Sequence, residues 1–174
     1  MLLGEGEKVV SMDLILWRHA EAKEGQDGVV EPNCKLTTRG KKQAQQMADW
    51  LKTQRLTKPK IFASPTEYAK QTAHTLGLPF KVKPQLGIEA RAIDLLAAAE
   101  WPDYGGTVIL VGHQPGLGRL ASLLLGGQEA NWTIKKGGVW WFSNRVRQDE
   151  TQTVLRAAMN PDNVANEIKA GAHF

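Results

Sequence analysis

Cysteine occurs once in this chain of 174 residues, at Cys34, so neither an intrachain disulfide nor a cysteine-built metal site is expected. A reducing compartment fits that usage, and the sequence reads as cytoplasmic. No apolar run approaches the roughly 20 residues needed to span a bilayer. The opening stretch, "MLLGEGEKVVS", has no basic segment followed by an apolar core, which argues against a secretory signal. A dense basic block is also missing. The formal charge is only +4, and Lys and Arg are scattered rather than gathered as a nucleic-acid surface requires. Two local clusters, Arg39 with Lys41 and Lys42 and the pair Lys135–Lys136, read as solvated faces. Neither nucleic acid nor membrane is an expected partner; an anionic substrate is compatible with the charge.

What is present is a composition of 42% apolar and 23% charged residues, that of a globular chain long enough for one sizeable core. No repeat, low-complexity segment or linker divides it. The expected domain spans 12–162, with an N-terminal extension over 1–11 and a C-terminal tail over 163–174. Met12 is an alternative start to Met1.

Short apolar runs alternate with longer periodic ones. Leu14–Trp17, Ile61–Ala63 and Val108–Val111 read as strands buried on both faces, and Val139–Phe142 and Val154–Ala158 as further strands. Between them, Ala44, Met47, Ala48 and Leu51 recur at helical spacing over 41–54, with Gly40 just before. Ser64–Pro65 reads as a helix start, Ser as cap and Pro at the first helical position, with the helix running to Gly77. "AIDLLAAAEW" predicts a helix over 92–101 that ends before Pro102, and "PGLGRLASLLL" one over 115–125 that stops at Gly126–Gly127. Strands alternating with helices predict an α/β fold, three layers α/β/α around a central, mostly parallel sheet.

In such folds sites form at the carboxyl ends of the strands. Three predicted strands end in polar residues: Arg18–His19, Ser64–Pro65 and Gly112–His113–Gln114. If those strands are neighbours, two imidazoles, a guanidinium and a helix start converge. A neutral imidazole is a nucleophile able to take a phosphoryl group, and arginine offers a planar fork of donors matched to its oxygens. Together with helix N–H groups they can stabilise charge during phosphoryl transfer, without a metal or other cofactor. His74 and His173 read as structural or surface residues. Alternation places Trp140 and Trp141 on opposite faces of a strand, so at most one is free to stack on a ligand.

"LWRHAEA" resembles the Arg-His-Gly signature of the histidine phosphatase superfamily, the phosphoglycerate-mutase-like fold, with Ala20 in place of Gly. "LTTRGKKQAQQMADWL", "SPTEYAKQTA" and "VILVGHQPGLGRLASLLL" are similar to three further family segments in the same order. Their spacing and the short length resemble SixA-type phosphohistidine phosphatases from about Met12 to Pro161. The resemblance implies that His19 is the phosphorylated nucleophile, that Arg18 binds the phosphoryl group and that His113 completes the pocket. It implies phosphohistidine on a phosphotransfer protein as substrate, an imidazole being an easier leaving group than an alkoxide.

One departure stands out. The family's second phosphate-binding arginine is replaced by Tyr68, which brings no charge. Losing one such donor typically costs about 10²–10³ in rate. Arg91 is the better candidate to compensate, with Arg39 another; Lys70 should face elsewhere on its helix. Glu89 is the candidate general acid, whereas Asp94 equally suits the start of the helix that follows it. The alternatives to a phosphohistidine phosphatase are a catalytically impaired phosphate or phosphoprotein binder and a phosphatase for a small phosphoester.

Overall fold

A computed structural model describes residues 11–164. His173, nearly all of the expected extension and most of the expected tail lie outside them. The elements follow in the order β1 (Met12–Arg18), α1 (Thr38–Lys52), β2 (Lys60–Ala63), α2 (Glu67–His74), β3 (Lys81–Val82), α3 (Ala92–Ala99), β4 (Thr107–Gly112), α4 (Gly116–Gly126), β5 (Val139–Arg147) and β6 (Glu150–Met159). They build one six-stranded sheet in the order β3-β2-β4-β1-β5-β6. Strands β1 to β4 run parallel, while β5 joins β1 and β6 joins β5 antiparallel.

Alternation along the central strands decides which helices cover which face. Leu14 and Leu16 of β1, with Leu110 of β4 and Phe142 of β5, pack against α3 and α4 through Leu95, Leu117 and Leu120. Ile15 and Trp17, with Ile109, Val111 and Trp141, pack on the opposite face against α1 and α2 through Met47, Leu51, Ala69 and Ala73. The result is the expected α/β/α sandwich with a sheet that is mostly parallel. Val164, beyond the last strand, also joins the second core.

Several boundaries differ from the sequence expectation. Helix α1 begins at Thr38, because the Thr37 hydroxyl accepts from the Gly40 amide at 2.9 Å, so Gly40 lies inside the first turn. Gly40 is required there: a Cβ would collide with the backbone carbonyl of Glu21. Helix α2 starts at Glu67 with Thr66, not Ser64, as its cap, and it ends at His74. Helix α3 stops at Ala99, since Glu100 turns left-handed at φ 56°. Strand β3 has no counterpart in the sequence pattern, and β5 and β6 form a longer hairpin than their apolar centres suggest.

Candidate active site

β1, β2 and β4 are adjacent and parallel, so their carboxyl ends lie side by side. The first delivers Arg18 and His19, the second Ser64, and the third His113. The imidazole centroids of His19 and His113 are 5.1 Å apart, which brings together the two histidines singled out from the sequence.

His19 is 9% exposed, and its Nδ1 lies 2.8 Å from the Ala20 carbonyl oxygen. A carbonyl only accepts, so Nδ1 carries the proton and Nε2 keeps its lone pair. Burial is the main cause that lowers the His19 pKa to about 4; the Arg18 and Lys136 charges act in the same direction, and the Ala20 bond opposes them. The ring is therefore neutral at ordinary pH, with a free lone pair on Nε2. His113 is 7% exposed and is lowered to about 3, again mainly by burial and then by the charges at His19 and Arg18. Its Nε2 lies 2.7 Å from Ser64 Oγ.

Ser64 was read from the sequence only as a helix cap. Its hydroxyl instead meets His113 and accepts from the Thr66 amide at 3.3 Å, leaving the cap to Thr66. The Ser-Pro pair that suggested a helix start carried no signal of that second role.

Tyr68 is 3% exposed and projects from α2 into the same place. Its ring stands edge-on at 4.4 Å from His19 and 5.5 Å from His113, and it packs on Ala20, Leu36 and Ala44. Burial pushes its phenol pKa up, so it is a neutral group beside the imidazoles.

Arg18 is half-buried. Its Nη1 donates to the Ile134 carbonyl at 2.8 Å, while its buried Nε has no hydrogen-bond partner. The segment Ile134–Gly138 is fixed against β1 by further bonds. The Gly138 carbonyl accepts from the Arg18 amide at 3.0 Å, the Gly137 amide reaches the Arg18 and His19 carbonyls at 3.1 and 3.0 Å, and Trp17 Nε1 donates to the Gly137 carbonyl at 3.1 Å. Gly137 adopts φ +74°, which suits glycine. Lys135 and Lys136, both exposed as expected of a solvated face, are thereby held next to Arg18 and line one cavity with it.

The remaining candidates are distributed around this centre. Arg39 lines that same cavity and approaches Glu21 at 3.8 Å. Arg91 does not compensate for Tyr68: its guanidinium is engaged with Asp94 at 3.1 and 3.2 Å, where the Asp94 carboxylate also accepts from the Arg91 amide at the start of α3. Asp94 thus serves the helix start. Lys70 pairs with Glu67 at 3.3 Å. Glu89 is exposed and lines a groove with Ser64, Pro65 and Thr66, which brings it to the outer side of the Ser64–His113 pair. Trp141 is buried in the core and Trp140 half-buried on the opposite face. Among the described residues, no three His, Cys, Asp or Glu side chains are grouped to hold a metal ion. No helix there is long and apolar enough to cross a membrane.

The parallel strands that carry these residues, with helices on both faces, form a fold shared with known proteins. Residues 14–89 match the model of the histidine phosphatase superfamily (branch 1), and the resemblance drawn from the sequence is borne out. Solved structures share the fold over most of the chain. The protein histidine phosphatase SixA complexed with tungstate is 24% identical with a TM-score of 0.68, over 88% of this chain and 99% of that one. A Nakamurella multipartitia protein described as a phosphohistidine phosphatase SixA is 21% identical, TM-score 0.67, over 87% and 96%. A phosphoserine phosphatase mutant from Entamoeba histolytica in complex with phosphoserine is 17% identical, TM-score 0.62, over 87% and 98%. At these identities the shared property is the fold. No curated protein matches the chain by sequence.

Proposed function

We propose that this protein is a phosphatase that passes the phosphoryl group through Nε2 of His19, acting on phosphohistidine carried by a protein. The observation that carries this reading is the tautomer of His19. Its Nδ1–H is committed to the Ala20 carbonyl at 2.8 Å, and burial holds the ring neutral. The lone pair on Nε2 is then available without prior loss of a proton.

In the first step Nε2 attacks phosphorus as the bond to the leaving imidazole breaks. In the second, water attacks the phosphorylated His19 and inorganic phosphate leaves. Arg18 supplies a fixed positive charge and an unpartnered Nε donor. His113, held through its Nε2 by Ser64, offers Nδ1 to the anion, and a bound dianion raises its affinity for a proton. Glu89, on the groove beside Ser64, is the group proposed to exchange a proton with the leaving group or the water. An imidazole leaving group asks less of such an acid than an alkoxide, which favours a phosphohistidine protein over a small phosphoester. The proposed setting is cytoplasmic phosphotransfer signalling, where a single cysteine is at home.

Tyr68 favours a second reading, a binder of phosphate or phosphoprotein without efficient turnover. It places an uncharged ring 4.4 Å from His19, where the resemblance calls for arginine. One experiment separates the readings: incubation with a phosphohistidine protein and with an aryl phosphate, followed by measurement of released phosphate and of acid-labile, alkali-stable label on the enzyme. Release from the first substrate with label on His19 supports the phosphatase. Retained phosphate binding with neither release nor label establishes the binder, and release from the aryl phosphate alone points to a small phosphoester.

A further inference from the structure

Beside Arg18 lies a cavity of about 540 Å³ whose walls come from three separate parts of the chain. Arg18 ends β1, Arg39 and Lys42 come from the first turns of α1, and Lys135 and Lys136 come from the segment clamped to β1. Five cations face one space. The two carboxylates on its rim, Glu21 and Asp162, leave an excess of three positive charges. Glu21 is moreover occupied, its carboxylate accepting from Thr37 at 2.9 Å and lying 3.8 Å from Arg39. Among the described residues, Lys42, Lys135 and Lys136 have no carboxylate within ion-pair distance.

Two local features make this arrangement costly unless an anion uses it. The first turn of α1 holds no acidic residue, although that end of a helix favours negative charge; here it carries Arg39, with Lys41 and Lys42 close behind. Lys135 and Lys136 are also held beside Arg18 by the bonds of Gly137 and Gly138 to β1, so like charges face one another across the cavity. Such departures from local preference concentrate at functional sites. The cavity adjoins the proposed reaction centre through Arg18, which lines it and directly precedes His19.

Resting on the phosphatase reading, we infer that this cavity binds a second anionic group of the substrate. The phosphoryl group sits at His19 while another phosphate or a carboxylate of the same molecule lies among Lys42, Lys135 and Lys136. The second anion could come from an acidic segment flanking a phosphorylated residue or from a second phosphate on a small molecule, and the chemistry required is the same.

Calorimetric titration of the full chain with three non-hydrolysable probes tests this: methylphosphonate, propane-1,3-diphosphonate and a tetra-aspartate peptide capped with phosphonoacetate. At least one of the two larger probes is expected to bind tenfold or more tighter than methylphosphonate, and Lys42→Ala/Lys135→Ala should abolish that gain. Both lysines are exposed, and a thermal melt checks that the variant folds. Preference for the peptide assigns the acidic segment, and preference for the diphosphonate assigns the small molecule. Equal affinity for all three probes, or a gain that persists in the variant, overturns the inference. Because no turnover is required, loss of the phosphatase reading would show separately, as absence of label on His19.

Discussion

The Tyr68 ring stands edge-on to the imidazole of His19, centroids 4.4 Å apart, and is itself 3% exposed. A neutral group thus occupies the ground beside the proposed nucleophile, where a charged donor would assist phosphoryl transfer. Tyr68→Arg is expected to raise kcat/KM by at least about tenfold, a conservative share of what one preorganised donor supplies. It should also lower the melting temperature, because the guanidinium replaces a ring packed on Ala20, Leu36 and Ala44. Steady-state kinetics on the folded variant check this; unchanged or reduced kcat/KM would show that another group already supplies the charge.

Replacing His19 by alanine should lower turnover at least about 10³-fold, as loss of a covalent nucleophile does, and remove the acid-labile label. Electrophoresis of the labelled protein before and after acid treatment provides the readout. Persistent label in the variant would assign the nucleophile elsewhere.

Ser64→Ala deprives His113 Nε2 of its partner at 2.7 Å. The expected outcome is a fall in kcat of about tenfold or more, from a misoriented imidazole, with a stability loss of about 1 kcal/mol. Ser64→Thr, which keeps a hydroxyl, should restore part of the rate. Equal rates in wild type and Ser64→Ala would leave the serine a purely local role.

Acid should destabilise the fold in a defined window. The unfolded chain binds protons at its histidines near the ordinary value of 6.5, whereas folded His19 and His113 do so only near 4 and 3. Both folded values are depressed, so their stabilising contribution is complete above pH 6.5 and is lost as pH falls toward 4. His19 alone should account for a change on the order of 3 kcal/mol over that range. Denaturant melts of wild type and His19→Asn/His113→Asn at pH 7 and pH 4.5 measure the difference. Parallel pH profiles for the two proteins would contradict it.

Gly40→Ala sets a methyl group against the Glu21 carbonyl, a backbone atom that cannot easily yield. A loss of about 1–3 kcal/mol is expected, measured by denaturant unfolding. Since Glu21 follows closely on His19, a displacement of the segment carrying His19 should appear together with the lost stability.

The parts most legible in the sequence were those in which burial alone shapes the pattern. Leu14–Trp17 and Val108–Val111 are covered on both faces, so their apolar runs announced strands, and the polar residues after them announced the site. β3 escaped because Lys81 and Val82 are both exposed and only pairing with β2 makes them a strand. The hairpin β5–β6 extends past its apolar centres because much of it projects beyond the core, where polar residues give no alternation signal. The contact of Ser64 with His113 and the place of Lys135 and Lys136 beside Arg18 are not legible in the sequence for a different reason. Their roles depend on which distant backbone lies beside them, and one sequence carries no mark of that proximity. Arg91 offered a charge in the right region, but the nearest carboxylate, Asp94, holds it at the start of α3.

The clamp between β1 and residues 134–138 also bears on how the protein comes into being. Arg18 and His19 emerge early in synthesis, yet the backbone that fixes the arginine and the lysines that complete its surroundings are made more than a hundred residues later. A nascent chain halted after residue 89 would display the imidazole without His113, without the bonds from Gly137 and Gly138, and without a walled chamber. The grouping of Arg18, His19 and His113 is therefore a property of the finished domain and of no shorter stretch of it.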